Sequence, residues 1–268
     1  MRLALLLPLV LLFAATSAAN AQRGFGRARA AFGDPNEFFT PPDFKGNAKY
    51  DGRFTFVRIK YRGYEHFMQE GPGWSHDYPR AEEHLMRIMR SISVMRPFIE
   101  SGPIIGGNIL ALDDPDLFKY PVAYLSEPGG WHPNEAEVDG LQKYLTKGGF
   151  LIIDDFEDFD GGDWPNFVAQ MQRAFPKLHP IEIPRDHPIF DSFFKINLDV
   201  LGAQGRRSRA VWYGMFQDND PKKRIMVVAN YLNDIGESWQ WSDRGFNVAP
   251  TNEAYKLGVN YLIYALTH

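Results

Sequence analysis

The sequence predicts an α/β domain built on a mostly parallel, doubly wound sheet. Three observations lead there. Strand-like and helix-like apolar patterns alternate from about residue 53 to the last residues of the chain. Residues 150–153 form a continuous apolar run ending in Asp154-Asp155, the pattern of a central strand covered by helices on both faces. No repeat or linker interrupts this alternation, so a single core of roughly 215 residues is expected, large enough to stand without disulfides. The chain has no Cys to form them.

Ahead of the domain, Arg2 precedes an apolar run over residues 3–15, and Ala19-Asn20-Ala21 follows as a small-x-small cleavage pattern. This is the order of a signal peptide, and the run is shorter than the roughly 20 residues that cross a bilayer. The expectation is an exported bacterial protein, periplasmic or secreted, cleaved after Ala21, with no transmembrane segment left. Residues 22–52 are rich in Gly, Ala, Arg, Asn and Pro without apolar periodicity, and read as a flexible leader.

Within the domain, residues 54–61 alternate Val57, Ile59 and Tyr61 with Arg58 and Lys60, a strand with one apolar face. Pro79 opens a helix that places Leu85, Ile88, Met89, Ile92 and Met95 on one side. Short strands are expected at residues 108–112 and 122–125, then a helix over 133–147 that Gly148 terminates. After the strand at 150–153, a helix is expected over 164–175, strands at 211–216 and 225–229, and a final helix from about Thr251. The last helix buries Ala254, Leu257, Tyr261, Leu262 and Ala265. In such a sheet the carboxyl ends of the parallel strands share one edge, and ligands bind there.

Composition narrows the function classes. The formal net charge of −4, or −5 without residues 1–21, argues against a nucleic-acid partner, which needs a basic face. The basic cluster Arg206, Arg207 and Arg209 has no interleaved aromatics and reads as a solvated loop. Without Cys, thiolate catalysis and Cys-based metal sites are excluded. Neither a Gly-rich phosphate loop nor a His-x-x-x-His pair is present, so no cofactor is expected.

Five blocks carry a family signature: Val57-Arg58-Ile59-x-Tyr61, Asp113-Asp114-Pro115-x-Leu117-Phe118-x-Tyr120-Pro121, Gly148-Gly149-Phe150-Leu151-x-x-Asp154-Asp155, His187-Pro188-Ile189-Phe190, and Gly258-Val259-Asn260 with Tyr264-Ala265-Leu266. In this order they resemble the domain of unknown function 4159 family from about Arg53 onward. The resemblance implies a class I glutamine amidotransferase-like fold, a three-layer sandwich with a flavodoxin-like sheet, and supplies no activity. Relatives of that fold carry a Cys nucleophile on a strand-to-helix elbow. Here the equivalent strand, 122–125, leads into Ser126-Glu127-Pro128-Gly129-Gly130. The thiol is missing, and Ser126 lacks the Gly-x-Ser-x-Gly frame of an exposed nucleophile.

Candidate site residues gather at the expected strand ends. Ser126, Glu127, Asp154 and Asp155 are the catalytic candidates: two adjacent acids can raise one another's pKa for general acid–base work, or hold a hard cation. The same run, with Asp155, Glu157 and Asp158 as its weak metal candidates, reads first as a solvated turn whose leading Asp caps the helix that follows, and no metal is expected. His132, before Pro133 and three residues from Glu135, has the spacing of a helix N-cap with its capping box. Trp74, His76 and Asp77 on a Gly-flanked loop, with Trp131 and His132, are ligand-binding candidates. Trp239 and Trp241 join them, because in an extended loop alternation would send both rings to one side. His187-Pro188 reads as a rigid structural turn. The leading expectation is a non-catalytic binding or interaction module of the cell envelope, its partner a small molecule, an envelope glycan or a protein. The alternative is a carboxylate-dependent hydrolase acting on glycans.

Overall fold

A computed structural model describes residues 41, 44, 46–62, 72–98, 107–156, 161–202 and 210–268. The signal-peptide expectation, most of the leader, the Arg206–Arg209 cluster, and Glu157 and Asp158 lie outside them. Among the described residues, strands β1 (Val57–Ile59), β2 (Asn108–Leu110), β3 (Val122–Ser126), β4 (Phe150–Asp154), β5 (Ile181–Glu182), β6 (Val211–Phe216) and β7 (Ile225–Tyr231) form one sheet. Their order is β2-β1-β3-β4-β7-β6-β5. The five strands from β2 to β7 in that order are parallel, and β6 and β5 close the sheet antiparallel. The reversal at β6–β7 has a simple cause. Residues 217–224 are too few for a crossover, which takes roughly a dozen, so the chain turns back as a hairpin.

Helices α1 (Arg80–Ile92), α2 (Glu135–Thr146), α3 (Asp163–Ala174), α4 (Leu198–Gly202), α5 (Ile235–Gln240) and α6 (Val248–Thr267) cover the sheet. Side-chain alternation along the central strands sorts the interior into two cores. Val122, Tyr124, Phe150 and Ile152 pack with α1, α5 and α6. Ala123, Leu125, Leu151 and Ile153 pack with α2 and α3. Both faces are therefore covered, and the apolar run at 150–153 is the residue pattern this demands.

Four expectations need correction. Arg58 was expected on an outward polar face, yet it is 0% exposed, because β1 is covered on both sides. Its guanidinium forms an ion pair with buried Glu82 of α1 and lies 4.9 Å from the Tyr124 ring. Next, the capping box of α2 uses Asn134 and Glu137, not His132 and Glu135. Asn134 Oδ1 accepts from Glu137 N at 3.0 Å, while the Glu137 carboxylate accepts from Asn134 N at 2.9 Å. Pro133 simply precedes the cap. Finally, α6 starts at Val248 rather than near Thr251: Asn247 caps it, and Pro250 falls in the first turn, where a missing N–H costs nothing. Ile92, expected on the inner face of α1, is 36% exposed at the helix end.

The chain leaves β1 for β2 on one side and returns to β3 on the other. This change of direction opens a crevice beyond the carboxyl ends of β1 and β3, the place where open α/β sheets hold ligands.

Candidate functional site

Strands β3 and β4 run in register, with Ser126 opposite Asp154 at their carboxyl ends. Immediately beyond, Glu127 and Asp155 both adopt left-handed backbone conformations, with φ of 49° and 61°. Such conformations are uncommon for residues with side chains and concentrate at functional sites. Asp77, in the β1–α1 connection, does the same at φ 64°. Three acids thus leave the sheet edge on turned backbones around one crevice.

Asp154 is fully buried and anchors the edge. Oδ2 accepts from the Tyr124 hydroxyl at 2.8 Å, from Gly236 N at 2.9 Å and from Ile235 N at 3.1 Å. Oδ1 accepts from Asn230 Nδ2 at 2.9 Å, and Asn230 Oδ1 in turn accepts from the Tyr261 hydroxyl at 2.6 Å. Asp154 does not cap the helix that follows: α3 has Gly162 at its N-cap and no side-chain cap there, while Asp154 accepts from the first two N–H groups of α5, whose N-cap is Asp234. Burial and the neighbouring Asp155 push the Asp154 carboxyl up to about 6, against the pull of its donors Asn230, Gly236 and Tyr124.

Asp155 reaches toward the β1–α1 connection. His76 Nδ1 lies 2.7 Å from its Oδ2 and 3.4 Å from Glu127 Oε1. The Ser126 hydroxyl, 0% exposed, donates to the same Asp155 oxygen at 3.4 Å. Burial pulls the imidazole pKa of His76 down. The bond to Asp155 and the charges of Asp77, Asp155 and Glu127 overcome that and raise it to about 10. Arg58 fixes the connection from below: its Nη1 donates to the carbonyls of Trp74 at 3.0 Å and His76 at 2.8 Å.

Asp77 completes the group in an unusual way. It is 2% exposed, and neither carboxylate oxygen has a hydrogen-bond partner among the described residues. Asp234, partly exposed after β7, accepts from Glu237 N with Oδ1 at 2.7 Å and leaves Oδ2 unpaired there. Burial, joined by the charge of Asp155, pushes both carboxyls well above the usual range, against the pull of His76 and Arg58 on Asp77. One donor atom from each of His76, Asp77, Asp155 and Asp234 lies within 4.8 Å of all the others. Gly236 is required beside them. A Cβ there would sit 2.5 Å from the Tyr124 hydroxyl oxygen and 2.6 Å from Asp77 Oδ2.

The aromatic candidates fall elsewhere. Trp74, Trp131 and Trp239 are each 0% exposed, the first two in the α2–α3 core and the third in the α1–α6 core. Their rings lie in the protein's cores. The pair Trp239 and Trp241 does not alternate in a loop, because Trp239 lies in α5 and Trp241 caps its end. Residues two apart on a helix point in nearly opposite directions. Trp241 instead lies between Arg80 and Arg244, at 6.0 and 5.4 Å from its ring. His132 is exposed, its Nδ1 3.1 Å from the Gly130 carbonyl oxygen, and is not part of the acidic group. His187 Nδ1 accepts from Ile189 N at 3.2 Å and closes the turn it was read as.

Of the expected residues, the structure therefore brings together Ser126, Glu127, Asp154, Asp155, His76 and Asp77. Asp234 and its neighbour Asn230 were missed. The signal that could have found them is the end of the apolar strand at 225–229, followed by Asn230, Asn233 and Asp234, the same strand-then-acid pattern as at 150–155.

A family model described as domain of unknown function (DUF4159) matches residues 55–266. The chain belongs to this DUF4159 family. The match covers every strand of the sheet and every residue of the acidic group. No curated protein matches the chain. No described helix of this DUF4159 domain is long and apolar enough to cross a membrane.

Proposed function

We propose that this DUF4159 chain is an exported envelope protein that binds a small ligand through a cationic group at the carboxyl edge of β1, β3, β4 and β7. The carrying observation is Asp77: a carboxylate buried almost completely, with no donor to either oxygen among the described residues. Keeping a buried carboxylate ionised without a partner is costly, and Asp155 and Asp234 beside it add repulsion. A cation relieves both. His76 and Glu127, with side chains 21% and 16% exposed, form the mouth.

The amidotransferase-like scaffold implied by the family resemblance fits this reading as a fold whose thiol chemistry is gone, since the chain has no Cys. The glycan-hydrolase alternative draws less support. Its paired carboxyls stand about 5–5.5 or 6.5–9.5 Å apart across an open groove. Here the acids converge within 4.8 Å on one point, and Asp77 and Asp155 are buried.

The test is thermal unfolding of the purified protein against a panel of metal cations, ammonium compounds and amino sugars, for the parent and Asp77→Asn. One class should raise the parent's Tm and leave the variant unmoved, while the ligand-free variant melts at or above the parent. A panel without effect, together with a variant that melts lower, refutes the proposal.

A further inference from the structure

We infer that His76, Asp77, Asp155 and Asp234 bind one divalent transition-metal ion of the zinc or manganese type. This names the cation of the reading above and rests on it.

The geometry is close to closed. Ligand oxygens and imidazole nitrogens sit about 2.0–2.2 Å from such an ion, so ligand atoms around one centre are at most about 4.4 Å apart. The four donor atoms already lie within 4.8 Å of one another, so the widest pair closes by a few tenths of an ångström to stand as opposite ligands, and by about 1 Å to share a tetrahedral shell.

A cluster of acids alone would not point to an ion; the state of Asp77 does. Its two oxygens are buried and have no hydrogen-bond donor among the described residues, and one of them is among the four converging donors. The hydrogen bond from His76 satisfies Asp155 and leaves Asp77 unanswered. The buried cation Arg58 spends Nε on Glu82 and Nη1 on the carbonyls of Trp74 and His76, and its Nη2, unpaired among the described residues, donates no hydrogen bond to Asp77.

The donor set selects the ion. One imidazole with three carboxylates suits zinc, manganese or ferrous iron. Calcium and magnesium take all-oxygen shells, and copper(I) prefers sulfur. The ligands come from three connections, after β1, β4 and β7. An ion would thereby tie together three turns that share the carboxyl edge.

The experiment uses the full-length, tag-free protein, stripped with chelator and titrated with zinc chloride and manganese chloride by calorimetry. One ion should bind per chain, and Tm should rise by about 5–10 °C at a hundredfold excess over Kd. Asp77→Asn and Asp234→Asn should each weaken binding by about 10–100-fold or more, with the parent's circular dichroism retained. X-ray absorption at the zinc edge of the parent should show a mixed nitrogen and oxygen shell, and it decides the matter should either variant misfold. Absence of saturable binding, equal binding in both Asn variants, or a shell without imidazole overturns the inference. If an ammonium compound raises Tm where both metals fail, the metal assignment falls and the cation-binding reading survives. If no cation acts, both fall.

Discussion

Replacing Arg58 with Met removes a buried cation beneath the acidic crevice, and the structure sets the size of the effect. Arg58 and Glu82 are both 0% exposed and ion-paired, so the single substitution strands a buried carboxylate. Breaking such a pair from one side costs about 3–5 kcal/mol, whereas replacing both partners with apolar groups is often neutral or stabilising. For a domain of this size that cost corresponds to a Tm lower by roughly 6–20 °C. The double variant Arg58→Met, Glu82→Met should recover most of the loss. It should not recover the site, because the Arg58 hydrogen bonds to the Trp74 and His76 carbonyls, which hold the connection carrying His76 and Asp77, stay broken. Urea unfolding of the parent, both single variants and the double variant, each with and without bound cation, separates the two effects. A single variant that loses less than about 1 kcal/mol contradicts the buried-pair account, since even exposed pairs reach that value. A double variant that binds cation as tightly as the parent contradicts the positioning role of Arg58.

Three further outcomes follow from the geometry around the same edge and one remote turn. Asp154→Asn should destabilise by about 1–3 kcal/mol in denaturant unfolding. Every donor around the carboxylate points at an oxygen, and an amide of either orientation turns an N–H toward donors. Gly236→Ala should lower stability by about 1–3 kcal/mol and weaken cation binding together, since its methyl would meet Tyr124 and Asp77; a variant with parental Tm would show that the α5 turn is looser than described. At His187, burial followed by the charge of His268 lowers the pKa below 6.5 in the folded state. Its contribution is therefore present above pH 6.5 and lost as pH falls, so His187→Asn, which keeps a capping acceptor, should flatten the stability profile between pH 7 and 5. An unchanged profile would count against that assignment.

The α/β class and the mostly parallel sheet were legible in the sequence, and for definite reasons. Strands such as β4 must be apolar on both faces when helices cover both, and the amphipathic stripes of α1 and α2 carry the helical period. The short elements were not legible. Two-residue β5 and six-residue α5 are too brief to show any period, and α5 is held by donors to Asp154 from another strand. Arg58 was misread for a related reason. Alternation with apolar neighbours signals an exposed face only where nothing packs on that face, and here α1 supplies Glu82 to meet the charge.

What the sequence by itself determined is the list of strands and helices long enough to express a period, and with it the edge at which parallel strands end. It also supplied the chemical exclusions, because an absent residue type is absent in any fold. What only the tertiary structure decided is which polar residues meet. His76 and Asp155 are separated by 79 residues in the chain and by 2.7 Å in space. It likewise decided that Trp74, Trp131 and Trp239 are core and that Asp77 is buried without a donor among the described residues. Periodicity reports which side of an element is apolar. The partner that answers a buried charge is set by strand order, and in a parallel sheet neighbouring strands come from distant parts of the chain.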